Sequence, residues 1–214
     1  AVSRAVVPAD PADAVTDRHS TELPFFVAEL PDDPSLAILE RYWVVEPYSY
    51  VKIERIGNEG FTYIVVEPSI SQKEKTILME TYAQLRDIII YDDKEKGKEE
   101  RIDPVAVAKI IREFDPDITQ DRVEILTYYI KRDLSGYGPL EVLMRDPALE
   151  DLSCNGHDLP VFIFHRAYGS LPTSLVFSEA ELNQFVLKLA QKANKQISLS
   201  NPMVDATLPD GARV

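Results

Sequence analysis

Few side chains in this sequence have the type and spacing that chemistry requires. Its three histidines, His19, His157 and His165, keep none of the H-x-x-x-H or H-E-x-x-H spacings that set two imidazoles on one helical face around a metal. No G-x-S-x-G turn exposes a serine nucleophile. Cys154, the one cysteine, has no partner for a disulfide or a thiolate metal cluster, and is expected to be a small buried hydrophobe. Neighbouring carboxylates such as Glu150 and Asp151 read as solvated surface in so acidic a chain. A Walker loop needs G-x-x-x-x-G-K-[ST], in which backbone amides cradle the phosphates while the lysine and hydroxyl reach the terminal phosphate and Mg²⁺. None of the eight glycines begins one, and Gly97-Lys98 runs into Glu99 inside a charged stretch that would repel a phosphate. The expectation is therefore no catalytic centre and no metal site within these residues.

The stretch that organises the rest is Asn201 to Val214, NPMVDATLPDGARV. Met203, Val204, Ala206 and Leu208 lead into the turn tripeptide Pro209-Asp210-Gly211, and a second extended arm begins at Ala212-Arg213-Val214. This pattern predicts a hairpin with one arm unfinished, and the chain is expected to be a piece of a longer protein. Gly136, Gly138 and Gly211 are expected at backbone positions that need positive φ.

With 36 acidic against 23 basic residues the net charge is -13, which repels nucleic acid and anionic lipid. The 45% hydrophobic content of the 214 residues suits a packed protein. Apolar runs such as Ile88 to Tyr91 are far short of the ~20 residues of a membrane helix, so no insertion is expected. A lone thiol suits a reducing compartment, and the expected location is the cytoplasm.

Taken in order, residues 1–34 read as a flexible arm rich in Pro, Ala and Asp. Residues 35–95 read as a small α+β unit. Leu36 to Leu39 suggests a short helix, and Tyr48–Ile56 and Phe61–Glu67 read as a hairpin around Gly57-Asn58-Glu59-Gly60. Ser71-Gln-Lys-Glu74 is a capping box opening a helix to about Tyr91, with Ile77, Leu78, Tyr82, Leu85, Ile88 and Ile89 on its inner face. Residues 96–102 lie in a charged linker, Asp92 to Arg101, where a domain boundary is expected.

Residues 103–147 read as helices. Asp103-Pro104 starts one whose buried stripe is Val107, Ile110, Ile111 and Phe114, and Thr119 starts another carrying Val123, Leu126, Tyr129 and Ile130. From Leu149 the period changes to strands, Leu149–Cys154, Val161–His165 and Leu171–Val176. A second capping box, Ser178 to Glu181, opens a helix with Leu182, Phe185, Val186, Leu189 and Ala193 inward. Residues 148–214 are thus expected to form an α+β, antiparallel-sheet (PAS-like) domain with helices on one face.

Leu134-Ser-Gly-Tyr-Gly-Pro-Leu-Glu141, Leu143-Met-Arg-Asp-Pro147, Leu149 to Gly156, and Pro202 to Val214 together resemble the N-terminal half of the type II/IV secretion ATPase superfamily. The match looks archaeal. It extends from about Asp133 to Val214, is weaker over Tyr48 to Tyr91, and gives nothing before residue 40. Its specificity lies in G-x-G-P-L-E followed about sixty residues later by P-M-V-D-x-x-L-P-D-G-x-R-V.

The resemblance implies a hexameric motor for secretion, pilus assembly or the archaellum, with ATP and Mg²⁺ held by a C-terminal Walker domain downstream of Val214. It implies that Arg213, the arginine of D-G-x-R, reaches the nucleotide phosphates, with Asp205 capping a turn or orienting it and Asp210 and Gly211 shaping the hairpin. An ordinary surface arginine pairing with Asp205 or Asp210 is the alternative. The implied partners are the C-terminal ATPase domain, neighbouring subunits and the cytoplasmic face of a membrane platform protein, with the motor peripheral to the membrane. A rival class is a nucleotide-independent interaction or sensor module. A Walker loop within roughly a hundred residues after Val214 would discriminate between the two.

Overall fold

The computed structural model describes residues 38–56, 60–92, 103–198 and 202–214, and the side chains of 86–92 are left aside. The arm 1–34, the turn Gly57-Asn58-Glu59, the linker 96–102 and the inner positions Ile88 and Ile89 lie outside what is described. The fold is α+β and divides into two compact units, Ala1–Pro147 and Ala148–Val214.

In the first unit an antiparallel sheet is built from β1 (Ile38–Val45), β2 (Ser49–Ile56) and β3 (Gly60–Val66). β2 and β3 are the expected hairpin, with Ile53 opposite Tyr63 and Val51 opposite Val65. β1 corrects an expectation, because Ile38 and Leu39 open a strand where a short helix was read. The run ILERYWVV is β-branched and aromatic, and cross-strand pairs such as Trp43 with Tyr50 outweigh the four apolar residues Leu36 to Leu39, which carry no helical period.

Three helices follow, α1 (Gln72–Asp92), α2 (Pro104–Phe114) and α3 (Gln120–Leu134). Their starts are those the sequence predicts. Ser71 N–H donates to Glu74 Oε2 at 2.7 Å while Glu74 N–H donates to Ser71 Oγ at 3.3 Å. Asp103 accepts from Val105 N–H at 2.9 Å, and Thr119 from Arg122 N–H at 3.4 Å. Ile77, Leu78 and Leu85 of α1 share one core with Val107, Ile110 and Ile111 of α2 and with Val123, Leu126 and Ile130 of α3. One core thus takes residues from both sides of the charged stretch. Phe114 leaves its expected place as well, being exposed at the last turn of α2.

Glu74 does more than cap. Its Oε2 also accepts from Arg122 Nη2 at 2.7 Å, tying the start of α1 to α3. Burial raises its pKa, but the hydrogen bonds from Arg122 and Ser71 outweigh this and hold the carboxyl below its ordinary 4.5. A depressed folded-state pKa gives stability that is present above 4.5 and lost as pH falls through the folded value. Arg122→Gln is thus expected to cost about 1.5 kcal/mol at pH 7, the worth of a charge-assisted hydrogen bond. Urea melts should show that difference shrinking as pH is lowered below 4.5; a constant difference would remove Glu74 from the account.

The second unit contributes the antiparallel strands β4 (Leu149–Ser153), β5 (Pro160–His165) and β6 (Gly169–Val176), with Ile163 opposite Leu152 on one side and Leu171 on the other. The helix α5 (Glu179–Lys192) opens with the expected capping box between Ser178 and Glu181. Val161, Ile163, Leu171 and Phe177 are buried, and Phe177 stacks on Phe185 of α5 at 5.5 Å between ring centres. Val186, expected to face inward, is partly exposed. Cys154 is exposed, because β4 ends at Ser153 and the thiol falls in the following loop.

Candidate functional site

The closing stretch forms a tight hairpin whose geometry decides what Arg213 can do. Ala206 and Val214 exchange two backbone hydrogen bonds at 2.7 and 2.9 Å, and Leu208 N–H donates to Ala212 O at 2.8 Å. Gly211 turns the chain with φ +91, a conformation side chains disfavour, and its N–H donates to Leu208 O. Asp210 Oδ1 accepts from Ala212 N–H at 2.9 Å and closes the turn from the side. Asp210 and Gly211 thus shape the turn between the two arms.

Side chains alternate across such a ladder. Val204, Ala206 and Val214 line an apolar concavity with Val186 and Leu189 of α5 and with Ile197, and Leu208 is buried. The opposite face carries Asp205, Thr207 and Arg213, all exposed. Arg213 lies across from Thr207 between two hydrogen-bonded rungs and makes no ion pair with a described residue. Neither Asp205 nor Asp210 is its counter-ion, so the pairing weighed as the ordinary alternative is absent among the described residues. Thr207 was missed because only the register, not the sequence, places it across from Arg213.

The second block behind the resemblance, Gly136 to Glu141, joins α3 to the short helix α4 (Glu141–Arg145). Gly138 has φ +57, as expected. Gly136 does not have positive φ. It is needed for space, since a Cβ there would run into the Glu141 carboxylate and the Arg132 backbone carbonyl. Buried Glu141 occupies that space to accept Tyr137 N–H at 2.7 Å and the Arg145 Nε–H. G-x-G-P-L-E is therefore a lock on the helix connection.

Two further polar clusters went unread in the sequence. Asp146 Oδ2 accepts from both Tyr42 and Tyr63 hydroxyls at 2.6 Å. Arg132 lies between Glu67 and Asp133, at 2.6 Å from each, above the Tyr129 ring. His165 is buried, its Nδ1 accepting from Ala167 N–H, whereas exposed His157 pairs with Asp158, whose hydrogen bond raises the imidazole pKa. Among the described residues no three His, Cys, Asp or Glu side chains are placed to hold a metal, and no helix is long and apolar enough to cross a membrane.

No family model matches the chain. It is similar to three proteins of Methanocaldococcus jannaschii, all called uncharacterized. Identity to protein MJ1288 is 35% over 159 residues, 71% of this chain and 62% of that relative. Identity to MJ0900 is 39% over 98 residues, 45% of this chain and 18% of the relative. Identity to MJ0781 is 40% over 77 residues, 36% of this chain and 11% of the relative. The chain thus covers about three-fifths of the first of these proteins and smaller parts of the two others.

Proposed function

We propose that this region is the N-terminal regulatory and assembly part of a hexameric ATP-hydrolysing motor for protein secretion or for pilus or archaellum assembly. The observation that carries the reading is the hairpin P-M-V-D-x-x-L-P-D-G-x-R-V, about sixty residues after G-x-G-P-L-E, with its arginine exposed across from Thr207. A planar guanidinium matches phosphate oxygens with two parallel N–H donors. Arg213 contacts the phosphates of ATP bound to a C-terminal Walker domain and stabilises the charge that develops on the transferring phosphoryl group. Mg²⁺ is assigned, as the resemblance implies, to the Walker domain.

Binding of ATP draws the Arg213 hairpin onto the phosphates, and hydrolysis releases it, so that this region and the motor domain move against each other once per cycle. That motion is passed to the cytoplasmic face of a membrane platform protein, reached by docking from the cytoplasm.

Steady-state ATP hydrolysis by the full-length protein is the test, with Arg213→Ala beside it and residues 1–214 alone as control. The full-length protein is expected to turn over ATP, the isolated region to be inert, and the variant to lose at least about tenfold in kcat, as removal of a charged transition-state donor does. A variant with full activity would return Arg213 to an ordinary surface role. An inert wild type would favour a nucleotide-independent interaction module.

A further inference from the structure

We propose that Thr207 is a second phosphate contact, working as one unit with Arg213. The inference rests on the nucleotide reading above and deepens it. Thr207 and Arg213 face each other as the non-hydrogen-bonded pair of the closing hairpin, the kind of rung that brings opposed side chains nearest. Both are exposed on the face away from α5. The backbone under them is held on both sides, by the Ala206–Val214 rung and by the Leu208–Ala212 rung, and the turn is closed by Asp210. The apolar face of the same hairpin, Val204, Ala206 and Val214, is laid toward α5, which prevents the pair from rotating inward. A threonine and an arginine are thereby presented on one exposed face, across a single rung of the hairpin.

A threonine hydroxyl donates one hydrogen bond to an anionic oxygen, and the arginine donates two or more. Together they fit a terminal phosphoryl group with several charged oxygens better than a single carboxylate. Asp205 shares the face two residues away, and its negative charge disfavours an anion spread along the whole hairpin, which confines the contact to the Thr207–Arg213 rung. The backbone hydrogen bonds and the buried Leu208 hold the hairpin beneath the pair.

The test is a cycle on the full-length protein comprising Thr207→Ala, Thr207→Ser, Arg213→Ala and the double variant, read as kcat and KM for ATP hydrolysis. Thr207→Ala is expected to lower kcat/KM roughly tenfold, the worth of one hydrogen bond to a charged group. Thr207→Ser is expected to restore it, and the double variant to be little worse than Arg213→Ala alone, since the two groups bind one phosphoryl. Circular dichroism melts of the variants should superimpose on wild type. Loss in Arg213→Ala with full activity in Thr207→Ala would overturn the inference and leave the nucleotide reading standing. Full activity in both would overturn both. A serine variant as poor as the alanine would also overturn it, because the methyl and not the hydroxyl would then be what matters.

Discussion

Arg132→Ala is expected to lower the unfolding free energy of the first unit by about 3–5 kcal/mol, the cost of stranding buried charges. Arg132 Nη1 is 2.6 Å from Glu67 Oε2 and its Nε is 2.6 Å from Asp133 Oδ1, with the guanidinium 4.6 Å from the centre of the Tyr129 ring. Both carboxylates also accept from tyrosines, Glu67 from Tyr128 and Asp133 from Tyr82. Burial alone would lower the Arg132 pKa, but Glu67 and Asp133 overcome it and push the guanidinium above its ordinary value. The cation is therefore the hub on which β3, α1 and α3 agree. Without it two half-buried anions face each other across a space that water fills poorly. Urea denaturation of Arg132→Ala beside the Arg132→Ala/Glu67→Gln pair is the measurement, and the double variant should recover part of the loss. A loss under about 1 kcal/mol would place the cluster with solvent-screened surface pairs.

Asp146→Ala is expected to cost about 3 kcal/mol, because it removes the acceptor that two phenol donors share. Tyr63 is fully buried, and Asp146 itself is almost so. Burial first and the Asp146 carboxylate second push both phenols above their ordinary 10.0, so at neutral pH both keep the proton they donate to the carboxylate. The carboxylate gathers β1 through Tyr42 and β3 through Tyr63 onto the end of α4. Tyr63→Phe removes one donor and leaves the acceptor served by Tyr42, so its cost should be about 1–2 kcal/mol. Thermal melts of the two variants check the order. If Tyr63→Phe costs as much as Asp146→Ala, loss of ring packing and not the carboxylate is responsible.

What could be read from the sequence, and what could not, follows the distance over which each contact acts. The capping boxes at Ser71 and Ser178 satisfy helix amides within three residues, and they stand in the structure as written. The closing hairpin and its Gly211 turn belong to the same class. The bonds that bring β1, β3 and α4 together join residues 83 and 104 positions apart, and no local pattern announces them. Cys154 illustrates the same limit, since cysteine's usual burial says nothing of a thiol one residue past a strand end.

By itself the sequence determined the α+β class, the helix starts, the two hairpins and the turn that carries Arg213, all products of side chains acting on their own backbone. Only the tertiary structure decided that α1, α2 and α3 share one core across a charged stretch, because an apolar stripe states that it must be buried and not against what. It decided that Gly136 makes room for the Glu141 carboxylate, and that Thr207 and not an aspartate stands beside Arg213. Both depend on close approaches between groups that meet only once backbone register and helix packing have set their positions.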